Sequence, residues 1–304
     1  MYTLEAFDII FFSCPLFFLY SKLVISLWKR RKDFFSAFYR IVLFGGIVDC
    51  SSFLLYLNLR LPNTNFYFDH FLDYFNHYSF WWSPLKFVIY QFIFMGHTTS
   101  LLMAVNRVTS LYLPLHYDHI WQKHSLIIGA SYLVIPTTMT WQLLFKPAGF
   151  ILMGNRTSGL VTLEYDHSYT FGPHMSTALV WYTMLIALLT LTFNLMCAIK
   201  MIMYRFKHKA LTKNNSRMVL CAMIVFLNEV MVMFSQVIVL QQFLDKTFTM
   251  RVVIPFIFDI HCLMPGVIVL CTVPQLREVT VGAFLREDLT EKSISVTPAV
   301  VIAK

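Results

Sequence analysis

Apolar residues in this chain come in seven long runs separated by shorter polar stretches. The runs fall near residues 7–28, 34–59, 85–111, 125–146, 174–203, 217–243 and 251–273. Each is about the length, roughly 20 residues, that a helix needs to cross a hydrocarbon core of about 30 Å. The runs are too long and too uniformly apolar for the alternating strands of a barrel, and in lipid a helix satisfies every backbone N–H and C=O within one segment. The pattern predicts an all-α membrane protein, a seven-transmembrane helix bundle over 1–273, with residues 274–304 as a tail. The first run is read as a helix rather than a signal peptide. Its leader carries Glu5 and no Lys or Arg, and no small-residue cleavage site follows it.

Composition sharpens this reading. With 58% hydrophobic and 13% charged residues, the chain lacks the charge, roughly a quarter of residues, that a soluble surface carries. The charges it has are asymmetric. Lys29, Arg30, Arg31 and Lys32 follow the first run, Lys123 lies after the third, and Arg205, Lys207, Lys209 and Lys213 lie after the fifth. Residues 61–84 hold no Lys or Arg, and 147–173 hold only Arg156. Positive loops stay in the cytoplasm, so the N-terminus is expected outside and the C-terminus inside. The formal net charge of +8 then reports topology, with anionic inner-leaflet lipid as a partner, and nucleic acid has no place in it. Cys14, Cys50, Cys197, Cys221, Cys262 and Cys271 all fall within the apolar runs, which leaves none for a disulfide in an external loop. Two glycosylation sequons begin at Asn155 and Asn214; under this topology only Asn155 faces the compartment where glycans are added.

The end of the third run carries the most specific motif. Asn106-Arg107 is followed, seven residues after the Arg, by Pro114-Leu115-His116-Tyr117. Rhodopsin-like G-protein-coupled receptors have an acidic residue and Arg there, then Pro-Leu-x-Tyr at this spacing. With Asn in place of the acid, the aromatic richness and the short tail, the chain resembles the nematode serpentine chemoreceptors of the gamma superfamily, class V or class gamma. The resemblance implies that Arg107 bridges helices at rest and faces a heterotrimeric G protein once the sixth helix swings out. It assigns coupling to Asn106, Arg107, Pro114, Leu115 and Tyr117, with Arg205, Lys207 and Lys209 beside them. Neutral Asn106 cannot form the charged pair an Asp would, so a weaker resting lock and a higher basal activity are expected. On sequence physics alone, Arg107 reads first as an arginine snorkelling to the interface; the Pro-Leu-x-Tyr spacing turns the reading to coupling. In the seventh run Pro265 stands where those receptors have Asn-Pro-x-x-Tyr, flanked by Met264 and Gly266, so the kink is kept and the polar partners are lost. After Pro274, Leu276, Val279, Ala283 and Phe284 share one helical face, as in a helix lying on the inner membrane surface. No Cys follows Pro274, so a palmitoyl anchor is not expected in this tail.

Ionisable groups within lipid need pairing or hydration, and Asp49, His97, Glu229, Asp259 and His261 are the ones to explain. Asp49 resembles by position the sodium-binding Asp of rhodopsin-like receptors, although the partners of that site are not legible here. Two readings of Asp49 stand: a protonation-sensitive switch linking it to His261 or His97 beside Pro265, and a satisfied structural cluster. Ligand recognition is expected in the outer half of the bundle, at Lys86, Tyr90 and Phe94 on one face of the third helix, with Asp259 and loop residues Glu164 and Asp166. Residues 66–82 hold ten aromatics, with Phe71, Tyr74, Phe75 and Tyr78 at helical spacing. These read as a short interfacial helix, with an aromatic lid as the functional alternative. A metal held by His70, Asp73 and His77 is the weakest reading, and no metal or cofactor is expected.

No enzyme signature is present: no phosphate loop, His-Glu-x-x-His, dinucleotide fingerprint or nucleophile elbow. No repeat suggests a transporter. The expectation is therefore a chemosensory receptor that carries the binding of an extracellular small molecule or peptide to a heterotrimeric G protein, at the plasma membrane or on a sensory cilium. The alternative is a seven-helix ligand-gated channel of inverted topology, against which the charge distribution counts.

Overall fold

The computed structural model describes residues 8–34, 36–60, 77–153, 160–166, 175–208, most of 223–238, 249–285 and the single positions 168 and 172. Its helices are α1 (Cys14–Lys29), α2 (Ala37–Arg60), α3 (Ser83–Tyr112), α4 (Tyr117–Lys123), α5 (Ser125–Thr140), α6 (Met175–His208), α7 (Ile254–Thr272) and α8 (Pro274–Leu285). One hairpin, β1 (Ala148–Met153) and β2 (Leu160–Tyr165), lies between α5 and α6. Six described helical segments are long and apolar enough to cross a membrane, and Phe226–Ser235 is a shorter apolar helix within the sixth predicted run. The seven-helix bundle read from the sequence stands.

Local sequence sets the helix starts. Pro15, Pro84, Pro255 and Pro274 each sit in the first turn of their helices, where the missing N–H costs nothing and the fixed φ is already helical. Short π turns, Asp8–Ser13 and Thr249–Val253, lead into α1 and α7. Ser79 caps the 3₁₀ turn Phe80–Trp82 by accepting from the Trp81 N–H, and α5 tightens into a second 3₁₀ turn, Trp141–Phe145. Pro136 and Pro265 lie inside α5 and α7. The hydroxyl of Thr140 donates back to the Pro136 carbonyl.

The bundle is apolar outside and carries its polar groups within. Phe11 and Phe18 are 67% and 66% exposed, whereas His97 and Asp259 are fully buried. That inversion is what lipid requires of a membrane protein. Helix α3 packs along α2, α5 and α6, while α1 and α7 pack on each other and on α2. One core joins Tyr20, Leu23 and Leu27 of α1 to Phe53 of α2, Leu263 of α7 and Leu276 of α8. A second joins Phe94 to Leu143, Met175, Leu179 and Tyr182.

The hairpin is the element the hydrophobic pattern did not announce. Ala148, Phe150, Val161 and Leu163 pack with Ile89 of α3, against Leu55 and Leu59 of α2 and Leu85 of α3, and Ser79 pairs with Ala148 along its edge. Gly149 is required there, because a Cβ would run into the backbone of His77 and Tyr78. The predicted helix after Pro274 is present, and its Leu276 is wholly buried against the bundle. The aromatic segment 66–76, Glu229, Asn155, Lys209, Lys213 and Asn214 lie outside the described residues, as do the side chains of Arg205 and Lys207.

Candidate functional site

Polar side chains inside the bundle form three groups along its axis. At the end of α3, Asn106 and Arg107 are both buried, 3% and 6% exposed. Asn106 Nδ2 donates to the Tyr117 hydroxyl at 2.8 Å, and Trp121 Nε1 donates to Thr109 Oγ1 at 2.9 Å. Tyr117 and Trp121 lie one turn apart on α4, so two hydrogen bonds fasten that short helix to the last turns of α3. Burial holds the Tyr117 phenol above its ordinary pKa, although the bond from Asn106 works the other way. The phenol is therefore neutral near pH 7. Pro114 and Leu115 form the turn between α3 and α4, and Leu115 is 84% exposed.

The middle group centres on Asp49. Tyr20 donates its hydroxyl to Asp49 Oδ2 at 2.8 Å. The rings of His97 and His261 lie 4.7 Å apart, with Thr183 Oγ1 3.5 Å from His97 Nε2 and Asn228 Nδ2 3.5 Å from His261 Nδ1. Gly96 lets these groups converge, since a Cβ there would lie 3.4 Å from His261 Nε2 and 3.6 Å from Asp49 Oδ1. A cavity of about 20 Å³ touches Tyr20, Asp49, Gly96, His261 and Pro265, which is room for about one water molecule. Tyr20 itself sits in a nest of glycines. A Cβ at Gly266 would strike its ring, and one at Gly46 would approach the ring to 3.1 Å.

At the hairpin end there are two clusters. Asp259 Oδ2 accepts from Ser13 Oγ at 2.6 Å and from Arg60 Nη1 at 2.8 Å, with both charged side chains buried. Separately, Lys86 donates to the Leu163 carbonyl of β2 and its ammonium lies 5.3 Å from the Tyr90 ring centroid and 5.9 Å from that of Tyr165. Lys146 lies 5.1 Å from the same Tyr165 centroid, with its pKa lowered by burial. Phe94 lies below, fully buried, its ring 4.7 Å from Tyr182. Glu164 is on β2, opposite Gly149.

A family model described as the Srg family chemoreceptor matches residues 8–280. The chain belongs to this family. It is a serpentine chemoreceptor, a seven-transmembrane receptor, as the sequence motifs led one to expect. No curated protein matches it.

The receptor's structure regroups the residues singled out from its sequence. Asn106, Arg107, Pro114, Leu115 and Tyr117 come together at one end. Asp49, His261 and Pro265 share the small central cavity. Lys86, Tyr90 and Phe94 lie on one side of α3 near the hairpin, whereas Asp259 belongs to the Arg60 and Ser13 cluster contributed by the π turn before α1, by α2 and by α7. Gly266, beside Pro265, vacates space for Tyr20. Sequence reading passed over Tyr20, Arg60, Trp121 and the hairpin residue Tyr165. Two of these carried a signal: Arg60 is a cation at the far end of the second run, and Tyr20 is a phenol inside the first run rather than in an interfacial belt.

Proposed function

We propose that this chemoreceptor transmits the binding of an extracellular small molecule or peptide to a heterotrimeric G protein, with its N-terminus outside and its C-terminus in the cytoplasm, at the plasma membrane or on a sensory cilium. The observation that carries this reading is the tie between Asn106 and Tyr117. It holds α4, and with it the exposed Leu115 turn, against the last turns of α3 beside Arg107. Arg205, Lys207 and Lys209 supply positive charge at the same end of the chain's topology. In this reading a ligand near Lys86, Tyr90, Phe94 and Glu164 favours an arrangement in which that end opens. The Asp49, His261 and Pro265 region is the bistable element between the two ends. The ligand must bind the two arrangements with different affinity, or nothing is transmitted.

The lock is a neutral hydrogen bond, worth about 0.5–1.5 kcal/mol. Basal nucleotide exchange is therefore expected above that of receptor-free membranes when the receptor is reconstituted with a heterotrimeric G protein. Arg107→Ala should bring exchange down to the receptor-free level with surface expression unchanged. Tyr117→Phe should raise it about two- to tenfold, the factor corresponding to one such bond. Wild-type exchange that Arg107→Ala leaves untouched would remove Arg107 from the coupling role.

A further inference from the structure

A cleft of about 500 Å³ opens between α2, α3 and α5 on the half of the bundle nearest α4. Its volume lies within the roughly 300–1,000 Å³ typical of ligand sites. Phe44, Leu102 and Tyr132 line it, together with Trp121 of α4 and Arg40 in the first turn of α2. The hydroxyls of Tyr132 and Thr99, both in its lining, lie 2.8 Å apart. Gly129 borders the cleft, and a Cβ built on it meets nothing within 4 Å.

We propose that this cleft is a binding site for one anionic phospholipid of the cytoplasmic leaflet, its acyl chain lying between α2 and α5 and its phosphate at Arg40. The walls belong to membrane-spanning helices, so the medium outside them is lipid. A chain in the cleft reaches α3 and is contacted on three sides, whereas lipid against a convex helix is contacted on one. The body is apolar, and the cation is at the end nearest the Lys29–Lys32 run and Lys123, which is the arrangement that selects an amphiphile with a negative head. Basic pockets between transmembrane helices on the cytoplasmic side take such headgroups. The leaflet rests on the topology proposed above; the cleft and its chemistry do not.

The test uses the full-length receptor in phosphatidylcholine nanodiscs containing either phosphatidylserine or phosphatidylcholine brominated in mid-chain. The readout is the quenching of Trp121, taken as the difference between wild type and Trp121→Phe. Brominated phosphatidylserine should quench Trp121 at about fivefold lower mole fraction than brominated phosphatidylcholine, the factor expected of one basic side chain at the membrane surface. Arg40→Gln should abolish that preference while leaving quenching in place. Gly129→Leu, which fills the cleft, should abolish quenching by both lipids. Equal quenching by the two lipids in wild type would mean ordinary boundary lipid and would overturn the proposal. Absence of quenching in a receptor with a normal thermal transition would mean that protein, residues 286–304 or a second copy, closes the cleft, and would overturn it equally. Arg40 is exposed, so Arg40→Gln decides the matter even if Gly129→Leu does not fold. Loss of G-protein coupling in Arg107→Ala leaves these outcomes unchanged, which keeps the two readings separable.

Discussion

Among the described residues, Arg60 and Asp259 form a buried ion pair. Both lose most of their hydration, and each is held by the other at 2.8 Å. Removing one member of such a pair leaves a charge in a place where it can be neither solvated nor balanced, at a cost of about 3–5 kcal/mol. Asp259→Asn is therefore expected to lower the thermal transition of the purified receptor sharply. The double variant Arg60→Met with Asp259→Leu, which removes both charges, should recover most of the loss. A double variant no more stable than Asp259→Asn would show that the pair is not the source. The sequence announced Asp259, because any acid in an apolar run has to be explained, but not its partner. The two residues are 199 positions apart, and nothing local relates them. The same holds for Asp49: its partner Tyr20 stands out as a phenol inside the first run, but nothing local relates the two residues.

At the scale of elements, α7 meets α1 through the absence of a side chain at Gly266. The Tyr20 ring occupies that space and delivers its hydroxyl to Asp49 on α2, so three helices depend on one missing methyl group. Gly266→Ala should cost about 1–3 kcal/mol through overpacking, because Tyr20 cannot withdraw without surrendering its bond to Asp49. Placed in a Tyr20→Ala background, the methyl group has room. A double-mutant cycle by thermal unfolding should then give a coupling of 0.5 kcal/mol or more, and simple additivity would contradict the packing argument. Six of the seven helices were legible with boundaries good to about five residues, because lipid imposes a length and an apolar composition that no other element satisfies; the bounds of the sixth run lie outside the described residues. The hairpin was not. Its strands are six residues each and their apolar positions match those of many loops. What secures them is tertiary: burial against Ile89 and the close approach of His77 at Gly149.

For the molecule as a whole, the charge distribution has to be squared with Arg60, a cation at the end of α2 opposite the Lys29–Lys32 loop. Its pairing with Asp259 cancels the charge locally, so the excess of Lys and Arg outside the helices still falls on the side of α4. The positive-inside rule counts loop charges of that kind, and on it rests the proposal that the loop after α5 lies outside and the loop after α6 in the cytoplasm. The two sequons turn this into a measurement, since one membrane-spanning helix, α6, separates them in the sequence. Expressed in cells, the receptor should carry a glycan that Asn155→Gln removes and Asn214→Gln does not, read as a glycosidase-sensitive gel shift. A glycan on Asn214 would place the α6 loop outside and remove the Arg107 end from any cytoplasmic G protein, leaving a channel of inverted topology as the better account. The membrane orientation is therefore the hinge of the functional argument, and one gel tests it before any ligand is known.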